Sequence, residues 1–512
     1  MRNKIALIIG AGPAGLACAY KFLTETEDIK PIILEELSGV GGISRTVDFN
    51  GSGIDLGGHR MYSKVQEILN LWNEFLPLQG EKSIDDLILN REVNNLSDNG
   101  LNPNKTDKVM LKKRRFSRIY YSRKFFDYPV SLKLSTIFNL GIFKTFLAGC
   151  SYLKSCFIKR EENNLEDFMI NRFGKVLYST FFENYTEKVW GRHPRDISKE
   201  WGEQRIKGLS LSKAILNALK LTKNKETTLI DEFFYPKFGC GQLWNLMADY
   251  IKDNGGEIHL NTKVVALNNV NKKINSITVI ENSNQYEYYG DYIISSMPVK
   301  DLILGLKNYP DENILNIAKN LPYRDYMLVA LYLDKLKLKN NTKYKTINNI
   351  CPDNWIYIQE PDVKVGRLQI MNNWSPYLVK DFENKVLVSL EYFCDENDEY
   401  WNMSDEAFID FAINEAEKIG ILDKKDVISS KREKVQKAYP AYFDAFKDFG
   451  KIKEFLNTFE NLYCIGRNGQ HKYNNMDHSM LSGFEAVRII KNNLDKDILW
   501  RVNTENAYQE LK

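Results

Sequence analysis

A chain of 512 residues exceeds what one hydrophobic core supports, so two or three domains are expected. With 43% hydrophobic and 27% charged residues it has a globular composition, which excludes a disordered or membrane-embedded chain. The 70 basic and 67 acidic residues nearly cancel, which gives no support for nucleic acid or a polyanion as partner. Seven cysteines without a CxxC spacing suggest neither a disulfide framework nor a metal site, and reduced, intracellular thiols fit best.

The first apolar run, 5–9, reads as a buried parallel strand entering a turn with Gly10, Gly12 and Gly15, after which a helix begins. Gly10 permits the turn, Gly12 lets a pyrophosphate approach the backbone, and Gly15 lets helix and strand pack closely. The helix start offers amide donors and a partial positive charge to phosphates. Glu35 ends the next apolar run, where a carboxylate accepts from ribose hydroxyls. These features fit NAD or FAD equally. Because the N-terminal run is a short strand, no signal peptide is expected, and the location expected is cytoplasmic.

Residues 91–107 are polar and turn-rich and read as an exposed loop. The basic run 112–115, with Arg118, Arg123 and Lys124, reads as a solvated strand face or as part of a field that attracts an anion. From 131 to about 221 the pattern is helical, and 136–153 is expected to be a domain helix, not a membrane span, with peripheral membrane contact left open. Alternating segments at 257–265, 277–280 and 292–298 return the chain to the nucleotide domain, and 323–396 has strand periodicity. A strand at 462–466 and a helix at 480–493 close that domain. The expected fold is α/β: a discontinuous Rossmann-like dinucleotide domain (1–90, 225–300 and 445–500), a helical insertion domain (131–222) and an antiparallel-sheet substrate domain (108–130 and 301–444).

Two segments narrow the cofactor. Leu37-Ser-Gly-Val-Gly-Gly-Ile-Ser-Arg-Thr46 adds the backbone of Gly41 and Gly42 and the cation of Arg45, and Gly53-Ile-Asp-Leu-Gly-Gly-His59 follows. This run resembles the FAD domain of the amine oxidase, protoporphyrinogen oxidase and UDP-galactopyranose mutase group, which implies tightly but non-covalently bound FAD. Four further segments resemble the mutases themselves: Tyr185-Thr-Glu-Lys-Val-Trp-Gly191 with Gly202-Glu-Gln-Arg-Ile206, Gly366-Arg-Leu-Gln-Ile-Met-Asn-Asn-Trp-Ser-Pro376, Gly466 to Ser479, and Gly57-Gly-His-Arg60. The paired Arg-x-x-x-Arg of the short bacterial mutases is not present, since Leu209 stands where the second arginine would be.

The resemblance implies that Arg367 and Arg467 grip a UDP pyrophosphate, that Tyr439 and Tyr473 donate to it, and that Arg205 lies near flavin and sugar. Planar bidentate guanidinium suits a departing diphosphate. Trp190, Tyr185 and Asn372 would line the substrate site, and His59, beside Gly58, would face the isoalloxazine. Val264, Gly466, Met476, Asp477 and Ser479 would complete the cofactor site. The implied activity is a UDP-sugar pyranose–furanose mutase for cell-surface glycan synthesis, with reduced FAD N5 as covalent catalyst and NAD(P)H as a candidate reductant. The alternative is an FAD-dependent oxidase or desaturase acting on an apolar substrate, which leaves the arginines without a task. A homo-oligomer is left open.

Overall fold

The computed structural model describes residues 4–94, 96–128, 130, 134–199, 202, 232–308 and 310–504. It is α/β, as expected. Strand β1 (Lys4–Ile9) runs into helix α1 (Pro13–Glu25) and is joined by strand β2 (Ile29–Leu34). Ala6 and Ile8 face one apolar core and Leu7 and Ile9 another, which explains why this strand is a continuous apolar run without alternation. The sheet has five parallel strands in the order Leu462–Cys464, Tyr292–Ser295, β1, β2 and Glu257–His259. The apolar stretch read as one segment at 257–265 divides here: Glu257–His259 edges this sheet, and Thr262–Val270 belongs to a separate three-stranded sheet.

Around the start of α1 the backbones of distant segments come close. A Cβ on Gly15 would lie 2.0 Å from the Gly10 carbonyl oxygen, and one on Gly483 would lie 2.5 Å from the Ala14 carbonyl oxygen. Gly483 belongs to the C-terminal helix Met476–Asn492, which therefore lies directly on α1.

The second large sheet has seven strands in the order Val427–Pro440, Tyr323–Leu333, Val386–Cys394, Arg367–Ile370, Trp355–Ile358, Ser117–Tyr121 and Lys124–Asp127. It was expected to be antiparallel and is so except at one joint, where Trp355–Ile358 runs parallel to Ser117–Tyr121. These two strands come from remote parts of the chain, so no hairpin fixes their relative direction.

The basic run at 112–124 forms internal pairs. Lys113 is buried 3.2 Å from Asp85, Arg118 lies 2.6 Å from Asp353, and Arg123 lies 2.7 Å from Glu360. Neutralised in this way, these cations bind the sheet to its surroundings instead of presenting a field.

Helices Leu165–Phe173, Lys175–Phe181 and Glu183–Trp190 gather Phe168, Met169, Tyr178 and Trp190 into a core that also takes in Ala441 from the end of the large sheet. The segment 136–153 is helical but in two pieces, Leu134–Leu140 and Ile142–Phe157, bent by 107°. Neither piece alone is long and apolar enough to cross a membrane, and much of the pair's apolar surface is exposed, where the sequence reads as one domain helix.

Gly15→Ala should destabilise the fold by about 3 kcal/mol or more, because overpacking here meets backbone and not a movable side chain. Gly39→Ala, whose Cβ meets nothing within 4 Å, should stay within about 0.5 kcal/mol of the parent. Urea midpoints of the two variants check this.

Candidate functional site

The carboxyl ends of the parallel strands carry the first half of the site. Gly10 has φ +99°, a left-handed turn that directs the chain from β1 into α1. Gly12 caps α1 with no side-chain acceptor, and Pro13 at the first helical position removes one of the amides in need of a partner. A Cβ on Gly12 would meet only the Gly42 Cα, at 3.9 Å. The space beside this helix start is therefore open, as an entering anion requires. Arg45 donates to the Gly42 carbonyl at 3.0 Å, which keeps its guanidinium at the rim.

Glu35 is buried and accepts from the amides of Ala11 at 2.6 Å and Leu37 at 2.9 Å. Burial raises its carboxyl above the usual range and the two amides oppose that shift. The Thr262 amide donates to the Glu35 carbonyl, so Val264 stands two residues beyond that contact.

His59 sits in a loop pinned from behind. Asp55 accepts from the Tyr235 hydroxyl at 2.7 Å and the Cys240 amide at 3.2 Å, and the Cys240 thiol donates to the His59 carbonyl at 2.9 Å. The His59 Nδ1 is buried with no hydrogen-bond partner among the described residues. Burial, then the charges of Arg467 and Arg367, lower its pKa to about 3, so the imidazole is neutral. Gly58 approaches Gln369 and Trp374, which brings this loop onto the large sheet.

That sheet supplies the other half. Arg367 donates to the Tyr439 hydroxyl at 3.0 Å, pairs with the buried carboxylate of Glu391, and lies over the Phe393 ring. Burial is the largest single influence and disfavours its charge, but Glu391 together with Tyr439, Tyr185 and Tyr326 outweighs it and raises the guanidinium pKa. Arg467 donates to the carbonyls of Asn474 and Ala438 and lies 4.6 Å from the Tyr473 ring centroid and 5.7 Å from that of Tyr439. The two tyrosine rings stack at 5.7 Å. Gly466 gives its amide to Ser482 and lies against Ala14, so Arg467 follows directly from a contact with the start of α1.

Tyr185 joins the cluster through its ring contact with Tyr357 at 5.6 Å, and burial raises its hydroxyl pKa. Its helix is fixed by Lys188, whose ammonium donates to the carbonyls of Glu360, Val365 and Ile358. Burial lowers the Lys188 pKa to about 8.

Trp190 and Asn372 are held by contacts of their own. Trp190 is buried edge-on to Phe443 in the helical core. Asn372 uses both ends of its amide on backbone, donating to Lys385 and accepting from Leu387, so it fastens the sheet. Met476, Asp477 and Ser479 form the first turn of the C-terminal helix, where Asn475 and His478 make a reciprocal cap. Arg205 lies outside the described residues.

Two residues escaped the sequence reading. Glu391 had one signal, a carboxylate in the apolar run 386–394, but its partner is visible only from the strand register, which sets it opposite Arg367. Lys188 gave none.

The residues present fit a dinucleotide: Gly12 and Gly42 would leave room for its pyrophosphate, Glu35 would accept from its ribose, and His59 would stand near its reactive ring. The model of the family described as flavin containing amine oxidoreductase matches residues 13–486. The fold is similar to that of a reduced UDP-galactopyranose mutase, with 21% identity, coverage of 99% of this chain and 100% of that one, and a TM-score of 0.76. It is also similar to a protein from Exiguobacterium sp. 255-15 whose name proposes a protoporphyrinogen oxidase (15% identity, 96% and 100% covered, TM-score 0.65). A putrescine oxidase follows at 13% identity, 96% and 99% covered, and a TM-score of 0.58. Such identities speak for the fold alone.

Burial lowers the pKa of His471 to about 4, as it lowers that of His59 to about 3, against an ordinary value of 6.5. Each must take up a proton on unfolding below pH 6.5, so its contribution to stability is complete above that value and is lost as pH falls through the folded pKa. The urea midpoint should therefore drop on acidification from pH 6.5 toward 4, and His471→Asn should flatten that slope. Parallel slopes would show that His471 is not held neutral.

Proposed function

The chain belongs to the flavin-containing amine oxidoreductase family, and from that premise we propose that it is a UDP-sugar pyranose–furanose mutase. The observation that carries this reading is the convergence of Arg367 and Arg467 on the Tyr439–Tyr473 pair, next to His59 of the dinucleotide side. An apolar substrate leaves the Arg467 charge, which carbonyls and aromatic faces meet, without a counter-charge, whereas a diphosphate supplies one and gains charge as it departs.

Bound FAD in its reduced form would supply the nucleophile. The protein's part is then to bind and orient. Arg467, with carbonyl partners and no carboxylate among its contacts with the described residues, offers its charge to the incoming diphosphate. Arg367 is already paired and acts by presenting its free edge and the Tyr439 hydroxyl. Neutral His59 can accept or donate one hydrogen bond without adding a third cation. UDP-galactopyranose is the substrate proposed, with a related UDP-hexose as the next choice. The competing reading, an oxidase, draws on the oxidase-named proteins that share the fold.

Arg467→Ala should retain flavin but weaken UDP binding about ten- to hundredfold, the value of one charge-assisted contact. Turnover should fall further than affinity, because the diphosphate's charge grows in the transition state. Arg367→Ala alone would leave the buried Glu391 carboxylate without its cation, held by the Gln369 amide, at a cost of about 3–5 kcal/mol. The informative variant is therefore Arg367→Ala with Glu391→Gln. Calorimetric UDP titration of the folded, flavin-loaded variants tests the reading, and unchanged affinity in both overturns it.

The parent enzyme should convert a UDP-hexopyranose to a furanose fraction only after flavin reduction, without consuming reductant. Product formation that tracks oxygen uptake would favour the oxidase.

A further inference from the structure

The outer face of the helical layer carries a feature that the nucleotide-sugar reading leaves unused. Phe138, Ile142, Phe143, Phe146, Leu153 and Phe157 are each between 57% and 85% exposed. On the helix Ile142–Phe157 five of these fall within an arc of roughly 100°, by the 3.6-residue repeat. Its buried residues, Ala148 and Ser155, lie on the opposite side. The amphipathic sense is thus reversed, with the apolar stripe facing outward.

Charge identifies what would cover it. From 134 to 160 the chain has no Asp or Glu. Lys144 turns inward to the Tyr121 hydroxyl and Arg160 pairs with Asp167, while Lys154 and Lys159 are exposed beside the stripe. An apolar stripe flanked by exposed cations, on helices without an acid, matches an anionic lipid bilayer. Neither helix is long enough to cross one: sixteen residues span about 24 Å, against a hydrocarbon core of about 30 Å. The 107° bend at Gly141 also prevents the two pieces from forming one continuous span.

We propose that the bent helix pair Leu134–Leu140 and Ile142–Phe157 docks the protein in-plane on an anionic bilayer surface, with the phenylalanines inserted and Lys154 and Lys159 at the headgroups. The inner side of this layer packs on the helices that lead to Tyr185, so docking would set the site at a fixed orientation to the lipid. This inference is independent of the substrate.

The test is flotation of the full-length protein with vesicles of phosphatidylcholine alone and of phosphatidylcholine with phosphatidylglycerol. The parent should float with the anionic vesicles, and less so as salt rises. Phe143→Glu with Phe146→Glu should lower binding by about tenfold or more, since each phenylalanine loses its burial in the lipid. Lys154→Glu should weaken binding to anionic vesicles only. Because these side chains are exposed, unchanged circular dichroism should show that the variants remain folded. Failure of the parent to bind, or equal binding by the double phenylalanine variant, overturns the proposal. So does a lipid-free parent that is dimeric in sedimentation, does not float, and becomes monomeric in that variant, an outcome that would make this face an interface between copies.

Discussion

The close backbone crossing at the start of α1 is the constraint on which the rest of the molecule depends. There the Gly10 carbonyl meets Gly15, the Ala14 carbonyl meets Gly483, and Gly466 lies against Ala14. Only residues without a Cβ allow three segments from opposite parts of the chain to touch in this way. Glu35 accepts from the amide of Ala11, one residue past Gly10, and Arg467 leaves the other side of the same crossing. The dinucleotide cradle and the cationic end of the site are thus held by one piece of packing and cannot drift apart independently.

The electrostatics follow from that confinement. Two guanidinium groups and an imidazole lie close together and partly buried, an arrangement that is unfavourable unless charge is removed or offset. The fold treats the three differently. Glu391 offsets Arg367, aromatic faces and carbonyls offset Arg467, and His59 is neutral. The result is a site with net positive character and one cation not committed to an internal carboxylate, a preorganised environment for an anion.

What could be read from the sequence was what depends on local chemistry. The glycine turn, Glu35 and the apolar strands at 5–9 and 462–464 follow from backbone geometry and burial on two faces, and the parallel sheet contains them together with 292–295, which reads as an alternating segment. What could not be read depends on register or on sidedness. Nothing near Glu391 in the chain announces Arg367, and only strand pairing sets them opposite. Asn372 looked like a ligand in its motif yet is held by two backbone groups of the neighbouring strand region. The stripe along Ile142–Phe157 has the same period whether it faces a core or solvent, so its outward orientation was invisible.

The strand order of the parallel sheet also governs how the molecule is made. β1 and β2 are adjacent in sequence, but the partner on the other side of β1 is Tyr292–Ser295, and the next one out is Leu462–Cys464. During synthesis the apolar edge of β1 must wait for a strand nearly three hundred residues downstream, a delay on the order of tens of seconds at ordinary elongation rates. An unsatisfied parallel edge of that kind is both slow to close and prone to pair with the wrong chain. The discontinuous architecture that unites cradle and cations therefore makes the nascent chain dependent on protection until its last strand emerges.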